Sequence, residues 1–272
     1  MRRLVIAFVA ASSLALLSAC TDDASDSASH SGSTDGVGES RGAELTQENF
    51  AEEISSAQLE AGTVHVRTTT SIGGQDLAVE GDAALAEDLG DRAAALSMDL
   101  PALGGGDDEP VDLRMLDQKL YVNLGEATGG DFYRVDLAED DDPVGVEFAA
   151  ILDQADPVDQ FGVLGDSATS FSADGDGGEI DGVPTTRYLL AIDPAVMYEA
   201  QGLDVETMVD LPETVDYILY VGADYLPRRM EVEVPDIGTS SVEWSNWGKD
   251  VLIEVPDEDE ITDETPTALV QG

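Results

Sequence analysis

Cysteine occurs once in the chain, at Cys20, and histidine twice, at His30 and His65. A single cysteine forms no intramolecular disulfide, no CxxC redox pair and no cysteine-rich zinc site. Two histidines leave little for imidazole catalysis or for holding a transition metal. Positive charge is equally scarce: 12 Lys and Arg stand against 58 Asp and Glu, a formal net charge of −46. Such an excess repels a phosphate backbone, so nucleic acid is not an expected partner. HExxH, P-loop and dinucleotide glycine fingerprints are all missing, and the GxSxG match at residues 38–42 (GESRG) lies in a stretch with almost nothing to bury rather than on a strand-to-helix turn. With so many carboxylates, acid pairs at any chosen spacing arise by chance and give no support to a glycosidase. Residues 174–179 (DGDGGE) lack EF-hand spacing and read as a polar hairpin turn. His65 sits in an alternating segment, where an imidazole is ordinarily a polar-face residue rather than a triad base. The expectation is a protein that is not an enzyme and that uses no cofactor and no structural metal.

What is present begins with an address. Arg2 and Arg3 precede a 14-residue apolar stretch, residues 4–17 (LVIAFVAASSLALL), which has signal-peptide length and is short for a membrane span. Leu17-Ser18-Ala19-Cys20 then has the form of a lipobox: small residues before a cut, and a cysteine whose sulfur accepts a diacylglyceryl group. Residues 1–19 are read as a lipoprotein signal peptide and Cys20 as the acylated first residue of the mature protein. Each buried methylene contributes about 0.8 kcal/mol, so two or more acyl chains anchor durably where one does so only marginally. The expected location is the extracytoplasmic face of a cell membrane. From Cys20 to residue 44 the chain is Ser, Asp, Gly and Thr with almost nothing to bury, a flexible tether that carries His30. Twenty-four such residues reach about 25–30 Å. Residues 257–272 open with DEDEITDE and read as an acidic flexible tail. The folded domain is therefore expected over residues 45–256, and hydrophobic residues, 42% of the chain, suffice for its core.

Inside that domain, Leu45-Thr46 followed by QENFAEEISSAQLEAG reads as a helix with Thr46 as N-cap, Leu45 and Phe50 as a hydrophobic staple, and Phe50, Ile54, Ala57 and Ala61 on one face. Period-two alternation begins at Val64-Val66-Thr68-Thr70 and recurs at residues 77–85, 96–100, 111–115, 120–124 and 132–137. Two short helices are expected over residues 144–152 and 158–164, both behind prolines. Strands resume at residues 170–173, near 180–183 and at 185–192, and Asp193-Pro194 opens a helix carrying Met197 and Tyr198. A second meander covers residues 215–221, 229–234, 241–246 and 251–255. Strands outnumber helices and no βα alternation occurs, which disfavours doubly wound sheets and (β/α)8 barrels. The fold class is α+β, a large antiparallel sheet with a few helices packed on one face.

Three phrases carry a resemblance: EIDGVPTTRYLLAID (residues 179–193), LPETVDYILYVGADYLPRRMEVEV (211–234) and VEWSNWGKDVLIEVP (242–256). Behind a lipobox and a tether, they resemble the actinobacterial LppX/LprAFG family of LolA-like lipoproteins. The resemblance implies a curved half-barrel with helices over its concave side and an apolar cavity that carries acyl-chain lipids in the cell envelope. Its expected partners are an acyl lipid or glycolipid, the membrane through Cys20, and other envelope proteins. Thioethers adapt to irregular apolar spaces, so Met98, Met115, Met197, Met208 and Met230 are candidates for walls. The ligand-lining set expected is Met98, Met115, Val122, Phe148, Ile151, Phe161 and Met197. Arg228 and Arg229 are headgroup candidates, although a strand-surface ion pair beside Glu231 or Glu233 is the simpler reading. The alternative function is a tethered envelope scaffold with a filled core and no small ligand.

The lipobox predicts that Cys20→Ala moves the protein from the membrane to the soluble fraction. Fractionation after high-salt washing checks this, and a variant retained like the wild type would remove the anchor.

Overall fold

Apolar alternation makes most of the strands two-faced, and two-faced strands reach stability by pairing side by side over one core. The computed structural model describes residues 44–99, 110–137, 157–203, 205, 211–235 and 237–262. Helix α1 is Phe50–Ala61, followed by β1 (Thr63–Ile72), β2 (Gln75–Ala84), β3 (Ala93–Asp99), β4 (Val111–Leu116), β5 (Lys119–Asn123) and β6 (Phe132–Asp136). Helix α2 (Pro157–Ser167) leads into β7 (Ala168–Ile180) and β8 (Val183–Ile192), and α3 (Pro194–Ala200) precedes β9 (Val215–Gly222), β10 (Pro227–Val234) and β11 (Gly238–Ser245). A two-residue β12 (Ile261–Thr262) ends the described chain. All twelve strands form one open sheet in the order β12-β6-β5-β4-β3-β2-β1-β11-β10-β9-β8-β7. Two antiparallel meanders, β1–β6 and β7–β11, meet where β1 pairs with β11, from His65 opposite Ser245 to Ile72 opposite Gly238. This is the α+β, sheet-dominated class read from the sequence. The expected helix over residues 144–152, Cys20, its tether and Met208 lie outside the described residues.

Local chemistry explains the boundaries. Regular helix begins at Phe50, later than a Thr46 cap implies, because residues 47–49 form an entry turn. Asn49 Oδ1 accepts the Thr46 amide at 2.7 Å, while the Thr46 carbonyl accepts the amides of Asn49 and Phe50. Helix α3 starts as expected: Asp193 Oδ1 accepts the amides of Ala195 at 2.9 Å and Val196 at 3.4 Å, with Pro194 at the first helical position.

Three sequence expectations are corrected. Residues 174–179 are not a hairpin turn, since β7 runs through them with register shifts between Ala173 and Asp176 and between Asp176 and Gly178. The chain reverses at Asp181-Gly182, with φ of 51° and 79°, the pair of positive values that a type I′ turn needs. Bulges and aspartates suit β7 to its place as the free edge of the sheet. Residues 251–255 are not a strand either: the chain runs extended with no ladder partner. It must cross from β11 to the far side of β6, seven strand spacings or about 34 Å, and a path across the strands cannot pair with them. On the way the Glu254 carbonyl accepts from Arg114 Nη1 at 3.2 Å, and Pro256 is buried. Third, the tail does not begin at 257, because Glu258–Glu260 form a short 3-10 turn and Ile261–Thr262 pair parallel with Phe132 and Tyr133.

Between β2 and β3 the backbones approach so closely that a Cβ on Gly81 would stand 2.0 Å from the Ala95 carbonyl oxygen and 2.8 Å from Leu96 Cα. Neither atom belongs to a side chain that can swing away. Gly81→Ala should therefore pry β2 from β3 and cost about 2 kcal/mol or more, a fall in Tm of about 4–8 °C. Thermal unfolding followed by circular dichroism checks it, and an unchanged Tm would show that the sheet relaxes there freely.

Candidate functional site

One face of the sheet collects the apolar alternation into rows that run across the strands. Val79, Met98 and Val111 are successive partners across β2, β3 and β4; Leu96, Leu113, Val122 and Tyr133 continue the pattern from β3 to β6; Ala94, Met115, Leu120 and Val135 form a third row. All of these side chains are buried and belong to one hydrophobic cluster. In the other half of the sheet, Tyr188, Leu190, Tyr217, Leu219, Met230 and Val242 extend the same face. At the seam between halves the face turns polar but self-satisfied, with Thr70 Oγ1 and Ser240 Oγ 2.9 Å apart.

Helices cover the β7–β11 side through aromatic contacts. Phe50 of α1 stacks on Phe171 with centroids 4.3 Å apart, Phe171 stacks on Tyr188 at 4.9 Å, and Phe161 of α2 meets Trp244 at 6.1 Å. The two longer helices cross tightly, since a Cβ on Gly165 would lie 2.8 Å from Ala51 Cβ. On α3, Met197 Sδ lies 4.0 Å from the Tyr217 hydroxyl. Burial pushes the Tyr217 phenol up to about 12. Burial, with the neighbouring Tyr217 adding to it, also raises Tyr198. Both therefore remain neutral hydroxyls at physiological pH.

Of the ligand-lining set expected from sequence, Met98, Met115 and Val122 lie on the inner face of β3, β4 and β5, while Phe161 and Met197 come from the helix layer. All five share the one cluster. Phe148 and Ile151 lie outside the described residues. Sequence reasoning missed Gln58, which is 1% exposed on α1. Neither its Oε1 nor its Nε2 has a hydrogen-bond partner among the described residues. The signal was available, because Gln58 stands four residues after Ile54 and three before Ala61 on the stripe assigned to the core.

The opposite face is polar. His65 Nδ1 lies 2.7 Å from Asp82 Oδ1 and Nε2 lies 3.4 Å from Glu80 Oε1, so both ring nitrogens face carboxylates rather than a serine hydroxyl. Beside them an open groove of about 540 Å³ is lined by His65, Glu80, Ser97, Asp99, Asp112 and Arg114 among others. Arg229 holds Glu243 at 2.7 Å and Glu231 at 3.7 Å, the strand-surface pairing read from the sequence. Arg228 is buried instead, its charge met by Asp224 at 2.5 Å. Among the described residues no helix is long and apolar enough to cross a membrane.

No family model and no curated protein matches the chain. Solved structures do. LprF from Mycobacterium bovis is similar with a TM-score of 0.51 and 19% identity, covering 77% of this chain and 96% of that one. The lipoprotein LppX from Mycobacterium tuberculosis is similar with a TM-score of 0.46 and 16% identity, over 76% of this chain and 99% of that one. The twelve-stranded sheet with its helix layer is thus the LprF architecture, and the resemblance to the LppX/LprAFG family of LolA-like lipoproteins holds as a likeness of fold.

Proposed function

We propose that the chain is an extracytoplasmic lipoprotein, anchored through Cys20, that holds acyl-chain lipids between its helices and the inner face of its sheet and carries or presents them in the cell envelope. The observation that carries this reading is the width of that face. Eleven strand spacings spread over about 53 Å, whereas the three helices among the described residues, each about 10 Å across, cover about 30 Å. An apolar face wider than those three helices suits an apolar guest. Four thioethers, Met98, Met115, Met197 and Met230, line the cluster and can reshape around chains of different form. Small side chains, Ala83 and Ala94, face one another across β2 and β3 beside Met115. Burial of a sixteen-carbon chain is worth on the order of 12 kcal/mol, and leaving a bilayer costs about the same, so exchange runs close to thermoneutral. A domain this acidic is repelled by anionic headgroups, and the Cys20 tether would keep it within a few tens of ångströms of the surface.

A second reading has its own observation. Met115 is 2% exposed and Leu120 and Val135 are 0% exposed, the degree of shielding that a filled core shows. On that reading the protein is a tethered envelope scaffold with no small ligand. Mass spectrometry of lipid retained by the purified Cys20→Ala protein, with titration of a fluorescent palmitate analogue, separates the two. The carrier reading expects roughly one or two chains per protein, and it expects Met98→Trp and Met115→Trp to reduce uptake several-fold while the sheet signature in circular dichroism persists. A wild type that retains no lipid and takes up no probe would leave the scaffold reading.

A further inference from the structure

Most buried polar side chains near the core are paired through at least one atom. Ser167 Oγ donates to the Val163 carbonyl at 2.6 Å, Thr185 Oγ1 donates to the Gly178 carbonyl at 3.1 Å, and Thr70 is bonded to Ser240. Gln58 is different: a whole carboxamide, donor and acceptor together, is buried at 1% exposure with no partner for either atom among the described residues. A buried amide without partners opposes folding strongly, so one that persists calls for a reason beyond packing. Leucine or methionine would fill the same space without that cost.

Its place in the fold supplies the reason. The Gln58 carbonyl accepts the amide of Gly62, which closes α1 in a left-handed conformation and passes the chain directly into β1. Two residues on, Val64 begins the inner-face row that continues through Ala83, Ala94, Met115 and Leu120. Gln58 therefore stands in the last turn of the helix that delivers the chain into the row holding the small side chains Ala83 and Ala94. A hydrocarbon satisfies neither half of a carboxamide. An ester or amide carbonyl accepts from Nε2, and a hydroxyl or N–H beside it donates to Oε1. Being neutral, the carboxamide matches a neutral junction rather than a free carboxylate.

Resting on the acyl-carrier reading, we infer that Gln58 is the polar contact of the lipid site and selects lipids by the neutral ester or amide junction between acyl chain and headgroup. Three rotatable bonds let its carboxamide turn toward the junction as the chain enters.

The test compares two probes with the same sixteen-carbon chain and glycerol head, 1-monopalmitoylglycerol and 1-O-hexadecylglycerol, which differ by the carbonyl. Wild-type protein should bind the ester about five- to ten-fold more tightly, the worth of one neutral hydrogen bond. Gln58→Met should bind the ester no better than the ether, and its Tm should equal or exceed that of the wild type because an unpaired amide has gone. If Gln58→Met does not fold, Gln58→Leu carries the same comparison. A wild type that binds both probes equally, or a variant that keeps the preference, overturns the role of Gln58 and leaves the carrier intact. A wild type that binds neither probe overturns the carrier, and this inference with it.

Discussion

The pairing of β1 with β11 is the constraint on which the rest depends. Each meander is built from neighbours in sequence and closes through short turns, but the two halves become one sheet only when residues 65–72 meet residues 238–245. Without that seam the inner face divides into two narrower halves, and Val66 would lack the Trp244 backbone opposite it. The seam also sets the order of events in folding. Contacts between residues about 170 apart cost loop-closure entropy before they return anything, so the sheet is completed late and β1 has an open edge until then. The polar pair Thr70 and Ser240 lies on this seam, and a hydroxyl pair is satisfied only when the register is correct.

Much of this architecture was legible in the residues, and the parts that were not share a physical cause. Alternation located β1 to β6 and β8 to β11 because each buries one face, and period two is the direct record of that burial. Asp193-Pro194 announced α3 because its chemistry is local. Residues 251–255 alternate too, with Val251, Ile253 and Val255, yet they form no ladder, since a strand needs a partner and the route of the chain decides whether one is at hand. Strand β12 is two residues long and has no period to read. In β7 the Asp and Gly residues that signal a turn in a central segment are tolerated on a bulged edge. Within the candidate site, the five described members of the expected lining set were legible as apolar positions on a face, but their division into a sheet half and a helix half depends on tertiary packing. Gln58 was passed over because one polar residue on an apolar stripe changes the pattern little while changing its chemistry greatly.

Charge and shape are divided between the two faces. Cations on the polar side are engaged by carboxylates, as in Arg67 with Glu80, Arg187 with Asp174 and Arg229 with Glu243. Such exposed pairs contribute little to stability individually. Most acidic groups have no such counterweight in a chain at −46, so mutual repulsion favours solubility and opposes compactness. The stability that overcomes it must come from the inner face, where nearly all the large buried side chains reside.

The strap formed by residues 246–262 gives the molecule a second, much weaker fastening. Tyr121 and Phe132 project from the polar side of β5 and β6 yet are only 4% and 5% exposed, outside the main cluster. Arg114 lies over the Phe132 ring at 4.8 Å and holds the Glu254 carbonyl, and β12 pairs alongside. Two ladder residues and one guanidinium are slight restraints, so this end belongs to the part of the protein that opens at low free energy. Two aromatic rings are thereby kept from water on an otherwise hydrophilic wall, apart from the core beneath the helices, and loosening at this end would bare them before that core opens.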